Sequence, residues 1–203
     1  AELATQSFRQ SFFTRQSSNP VAIASARAGN VVGGGDWAQD RIMPDCIRAL
    51  AQGKPIRVRN PNATRPWQHV LEPLLGYLQL GWLLFPGPKG INEAMCAAYN
   101  FGPNVDSNRS VRSLVSKVCE YWPGEWEDQS DPDAMHEAHS LCLSIDKAWY
   151  HLRWQPVWDF DTTIKETVRW YREFHQSGRV LSQEQLAAYI NDAGRKNTYW
   201  AVS

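Results

Sequence analysis

Apolar positions recur at helical spacing from the first residues: Leu3, Phe8, Phe12 and Phe13 fall near one face of residues 1–13. No capping residue precedes Ala1, so this helix reads as cut into rather than started. After the turn signal SSNP, the small and β-branched run VAIASARAGNVVGGGDW enters a glycine cluster and predicts a buried strand feeding a loop. RIMPDCIRALAQGKP carries a stripe of Ile42, Cys46, Ile47 and Leu50 and stops at Gly53 and Pro55, the pattern of a helix with a glycine end. PIRVRN alternates as a short strand. Residues Val70 to Phe85 form a mostly apolar helix ended by Pro86, Gly87, Pro88 and Gly90, and AYNFG follows as a strand. Further along come a helix over 110–121, a strand at SLCLSID, and a short helix from Asp146, its predicted cap, to Leu152. A patterned helix over 161–176 carries Ile164, Val168, Tyr171 and His175, and another over 182–191 opens on SQEQ, a capping box. The tail 195–203 reads as loose. The alternation predicts an α/β fold, with strands too few and short for a complete doubly wound sheet.

Composition narrows the class. A 203-residue chain with 43% hydrophobic residues can bury one core plus a smaller lobe. Its 21 basic residues balance 21 acidic ones, which gives no general field for nucleic acid or an anionic membrane, so neither is expected as a partner. No apolar run approaches the roughly 20 residues of a membrane span, and the amino terminus lacks a signal-peptide order; the expected location is cytoplasmic. Cys46, Cys96, Cys119 and Cys142 form no CxxC pair and read as buried thiols rather than metal ligands or disulfides. Trp122, Trp126, Trp149, Trp154, Trp158 and Trp170 crowd the second half and read as core packing rather than a stacking surface.

Candidate chemistry concentrates at two places. AGNVVGGGD offers backbone donors for a phosphate, although a glycine-rich turn after a strand is more often structural, and Asn30 is read as standing at the strand's carboxyl end, where open α/β sheets place ligands. Arg57, Arg59 and Arg65 lie within one short stretch; guanidinium forks grip phosphate bidentately, or they line a solvated edge. Arg65, read as lying in a loop before Trp67, is the preferred diphosphate ligand. His136 and His139 are spaced for a metal only on a helix, and their strand-like context favours polar ligand contact or a surface role. No nucleophile has a base in tow, so the residues alone reach an α/β piece with a site for a phosphate-bearing ligand.

In order, ARAGNVVGGGDWAQDRIMPD, RNPNATRPWQHVLEPLLGYL, YNFGP, HEAHSLCLSIDKAWYHLRWQPVWDF and TVRWYREF resemble the CDP-glucose 4,6-dehydratases, extended short-chain dehydrogenases/reductases, over about residues 1–176. The resemblance implies the C-terminal part of a Rossmann-type parallel sheet plus a smaller mixed α/β substrate-binding lobe. Residues 1–40 would end the NAD-binding domain and 41–194 would form mainly the substrate lobe. It implies NAD as cofactor, CDP-glucose as substrate, CDP-4-keto-6-deoxyglucose as product and a homodimer or higher oligomer. It implies diphosphate contacts from Asn30 and Arg65, Arg41 near the nucleotide, Ile56 and Val58 against cytosine and ribose, and Asn100 and His136 completing the pocket. Backbone at Ala28 and Gly29 would approach the nicotinamide. The family's Tyr-x-x-x-Lys and GxxGxxG are absent, so the catalytic residues and most NAD contacts are expected upstream of a chain that begins too late. A non-catalytic nucleotide-sugar module and an inactive truncated product are the alternatives. Arg153 stands where the family's LGWxP has glycine, and Ser144-Ile145 replaces Asp-Cys.

Overall fold

The computed structural model describes residues 1–13, 21–85, 92–131 and 141–202. Its strands are short and mostly parallel, interleaved with helices, which is the α/β class expected. Strand β1 (Ser25–Ala28) pairs in parallel with β5 (Ala98–Phe101), aligning Ala28 with Phe101. One residue later the chain changes partner: β2 (Asn30–Val32) runs parallel to β4 (Thr64–His69), aligning Asn30 with Trp67, and β4 pairs antiparallel with β6 (Asn108–Ser110). A third pair joins β3 (Ile56–Val58) to β7 (Trp126–Asp128) in parallel. The step from one sheet to the next therefore falls at Gly29.

Helices fill the gaps between these sheets. α2 (Ile42–Ala51) stops where Gly53 takes a φ of 63°, a conformation glycine adopts without a Cβ clash. α4 (Val111–Tyr121) starts at Ser110, whose hydroxyl accepts the Ser113 N–H at 3.1 Å. α6 (Phe160–Ser177) starts at Asp159 in the same way. These three helices close over β3 to form the main core, with Cys46, Ile47, Ile56, Val58, Leu114, Val118, Ile164 and Tyr171 buried at its centre. A second core gathers Tyr99, Phe101, Leu152 and Trp154 beneath α3 (Leu71–Leu84) and α5 (Asp146–Leu152). α1 (Glu2–Phe12) buries no residue; Arg27 of β1 pairs with its Glu2 at 2.9 Å.

Several expectations need correction. β1 is half-exposed rather than buried, because among the described residues it pairs along one edge only. Residues 141–145 form no strand. β4 was not anticipated; its Pro66 fits because the sheet supplies partners around it, and Arg65 consequently lies on a strand, not in a loop. Asp146 is the first helical residue rather than the cap of α5. The SQEQ box does not close: α7 (Ser182–Arg195) has no side-chain cap, and the Ser182 hydroxyl instead accepts the Trp170 indole N–H at 3.0 Å. The tail is docked rather than loose over its described residues, since Thr198 is buried and Trp200 of α8 (Tyr199–Val202) stacks on Tyr189 with centroids 6.3 Å apart. Of the thiols only Cys46 is buried, and Cys142 is exposed. Trp154, Trp158 and Trp170 do pack inside, whereas Trp149 is exposed.

Candidate functional site

A cavity of about 480 Å³ opens where the chain crosses from β1 to β2. A crevice forms at such a point because diverging strands leave their carboxyl ends uncovered. Its wall comprises residues 28–33, followed by Asp36, Asp40 and Arg41 from the loop into α2, Ile42 to Pro44 from the first turn of that helix, Trp67 from β4 and Leu141. Gly29 has no room for a side chain: a Cβ would lie 2.8 Å from the Pro66 carbonyl oxygen. That glycine is required by packing against β4, whatever the cavity holds.

The glycine loop is held from two sides. Trp170 of α6 occupies the place a Cβ on Gly34 would need, 2.1 Å from its ring atoms. Tyr171 donates its hydroxyl to the Asp36 carbonyl at 2.7 Å and accepts the Asp36 N–H at 3.0 Å. Burial pushes this phenol up to about 12, so it remains a donor. From α2, Arg48 donates to the carbonyls of Trp37 and Ala38 at 3.2 and 3.1 Å. The fixed loop then presents charge: the Asp36 carboxylate accepts the Ala38 N–H at 3.0 Å and pairs with Arg41 at 3.3 Å. Asp40, in the left-handed region at φ 58°, pairs with Arg59 at 3.0 Å. Both pairs lie at the surface, where solvent screens them.

Of the residues proposed from sequence, Ala28, Gly29, Asn30 and Arg41 converge on this one cavity. Ile56 and Val58 do not: each is 1% exposed and packed into the main core, so contact with a base or ribose would require dismantling it. The polar residues between and after them face water, Arg57 pairing with Glu127 at 3.1 Å. Arg65 is not on the cavity wall and donates to the Thr64 carbonyl at 2.9 Å; it lies two residues along β4 from Trp67, on the same strand face. Asn100 lies on β5 away from the cavity, donating to the Ser144 carbonyl at 3.0 Å, with its buried Oδ1 unpartnered. His136 falls outside the described residues. Sequence reasoning missed Asp36, Asp40, Trp67 and Tyr171. Asp36 directly follows the three glycines and could have been found there; Tyr171 acts across 135 positions and left no local signal.

Solved structures that share this architecture include sugar-nucleotide epimerases and a dehydratase. A dTDP-glucose 4,6-dehydratase from Bacillus anthracis in complex with NAD superposes with a TM-score of 0.65 at 16% identity, over 87% of this chain and 50% of that one. A UDP-glucose 4-epimerase from Thermus thermophilus in complex with NAD gives 0.66 at 20% identity, over 84% and 51%. A UDP-glucuronic acid 4-epimerase from Bacillus cereus, with UDP-glucuronic acid and NAD, gives 0.66 at 15%, over 85% and 50%. The fold is thus that of the C-terminal part of such proteins. Among curated proteins, the chain is 36% identical over 203 residues to the CDP-glucose 4,6-dehydratase of Salmonella typhimurium, with 96% of this chain and 55% of the relative aligned. The resemblance read from the motifs is therefore borne out, and the chain spans about half the length of the curated relative it matches. No family model matches.

Proposed function

We propose that this chain supplies the sugar-nucleotide-binding part of an NAD-dependent dehydratase acting on CDP-glucose, and that the cavity at the β1–β2 step receives the diphosphate. The observation that carries this reading is the convergence of Asn30 and Arg41 on one cavity at the step from β1 to β2, where one parallel pair gives way to the next. A guanidinium, a neutral amide donor and a glycine loop suit an anion that is held without being trapped. Asp36 engages Arg41 through one guanidinium nitrogen, so a diphosphate would meet the other donors of the fork while the carboxylate keeps it in place. Arg65 would approach along the face of β4 that carries Trp67.

The cavity wall at Ala28 and Gly29 carries nothing larger than a methyl group, which leaves room for the flat edge of a nicotinamide; NAD, when bound, supplies hydride transfer. This chain's own part is to bind and orient the sugar nucleotide, and none of its residues is assigned a catalytic role. Residues 1–40 would complete the cofactor-binding domain and 41–194 the substrate lobe, in a cytoplasmic homo-oligomer.

The test is calorimetric titration of the protein with CDP, CDP-glucose and NAD, repeated with Arg41→Ala and Arg65→Ala. Saturable CDP binding weakened about tenfold by Arg41→Ala is expected, the effect of losing one charge-assisted contact. A folded protein that takes up neither CDP nor CDP-glucose sinks the reading.

A further inference from the structure

The loop from Gly33 to Trp37 forms one side of the cavity, yet nothing in its own sequence makes it rigid. Its stiffness comes from α6. A single oxygen, the Tyr171 hydroxyl, satisfies both backbone polar groups of Asp36, donating to the carbonyl at 2.7 Å and accepting from the N–H at 3.0 Å. The Trp37 ring stands edge-on to the Tyr171 ring with centroids 5.2 Å apart, and the Trp170 indole blocks any movement of Gly34 toward the helix. The loop is therefore pressed against α6 and pinned there.

The constraint continues to the ligand side. Asp36 is fixed at its backbone, its carboxylate is fixed by the Ala38 N–H, and the remaining carboxylate oxygen holds Arg41. Arg41 is exposed and long, so without a tether it would sample many rotamers and lose entropy on gripping an anion. We propose that Tyr171 is a positioning residue for the cavity: its hydroxyl sets Asp36, and through Asp36 the Arg41 guanidinium, at the place where a nucleoside diphosphate arrives. The inference deepens the reading of the cavity as a diphosphate site and rests on it. The helix that closes the main core thereby also tunes the ligand site.

The experiment compares wild type, Tyr171→Phe and Tyr189→Phe. Tyr189 is a control that also loses one hydroxyl bond, to Glu72 at 2.7 Å, in a different part of the fold. Three readouts are taken: amide exchange by mass spectrometry of the peptide containing Asp36, CDP affinity at low and high salt, and Tm. Tyr171→Phe is expected to speed exchange over residues 33–37 about tenfold and weaken CDP about five- to tenfold, the scale of one lost hydrogen bond. Its CDP affinity should also depend less on salt, because a loose Arg41 contributes less charge contact. Tyr189→Phe should lower Tm while leaving exchange at Asp36 and CDP affinity at wild-type values. Unchanged exchange and affinity in Tyr171→Phe, or equal weakening of CDP by Tyr189→Phe, overturns the proposal. Should wild type bind no CDP, the functional reading falls, and the exchange data alone decide whether Tyr171 clamps the loop.

Discussion

Two buried titratable groups of opposite character lie three positions apart, His69 at the end of β4 and Glu72 in the first turn of α3. Glu72 accepts the N–H groups of Val157 (3.1 and 3.0 Å) and Trp158 (2.7 Å) and the Tyr189 hydroxyl. Burial outweighs these donors and raises its carboxyl from 4.5 to about 7. His69 stacks edge-on against Trp158 at 4.8 Å, and burial lowers it from 6.5 to about 4. The signs oppose. Between pH 4.5 and about 7 the folded state keeps a proton on Glu72 that the unfolded chain releases, so that stabilisation is complete at low pH and lost as pH rises. Between 6.5 and about 4 the unfolded chain takes a proton that folded His69 refuses, so this contribution is present above 6.5 and lost as pH falls. Each shift corresponds to about 3 kcal/mol, and across the shared window the two slopes offset one another. Glu72→Gln removes one of them while keeping an acceptor for the Val157 and Trp158 amides. The variant should lose about 3 kcal/mol on acidification from His69 alone, where wild type changes by less than about 1 kcal/mol from the pair. Urea denaturation from about pH 4.5 to about pH 7.5 measures both proteins, and surface titrations cancel in their difference. A wild-type minus variant difference that stays within about 0.5 kcal/mol across that range refutes the reasoning.

Other substitutions probe the scaffold around the cavity. Arg153 ends α5 at φ 55°, in the left-handed region where the family pattern has glycine; Arg153→Gly should raise stability by about 1 kcal/mol in denaturant melts, even after losing its stack over Trp149. Ser110→Ala removes the cap of α4 and should cost about 1 kcal/mol, seen as a lower urea midpoint with an unchanged slope. Gly34→Ala drives a methyl into the Trp170 ring and should cost about 1–3 kcal/mol, with CDP affinity falling as the loop is displaced.

What could be read from the sequence follows the range of the interactions involved. α2 and α6 announced themselves because an amphipathic stripe is a local feature, complete within a dozen residues, and Gly53 ended α2 as a left-handed glycine does. The site was legible in half. Asn30 and the glycines are close in the chain and drew attention to the right segment, although Asn30 opens β2 and it is Gly33 that follows its carboxyl end. Strand β4 was illegible because TRPWQH, with Pro66 inside it, has no alternation of its own; it is a strand because β2 and β6 lie on either side. Losing β4 made Arg65 a loop residue, and treating PIRV as a ligand strand put Ile56 and Val58 against a base when α2 and α4 had already buried them. The same logic explains Tyr171. Its spacing with Ile164 and Val168 correctly placed its ring in the core, but the hydroxyl reaches past the core to Asp36, and a helical pattern records only which face is buried, never where its polar tip ends. A tyrosine on the apolar stripe of a closing helix is thus a sequence-level reason to look for a polar loop lying over that helix.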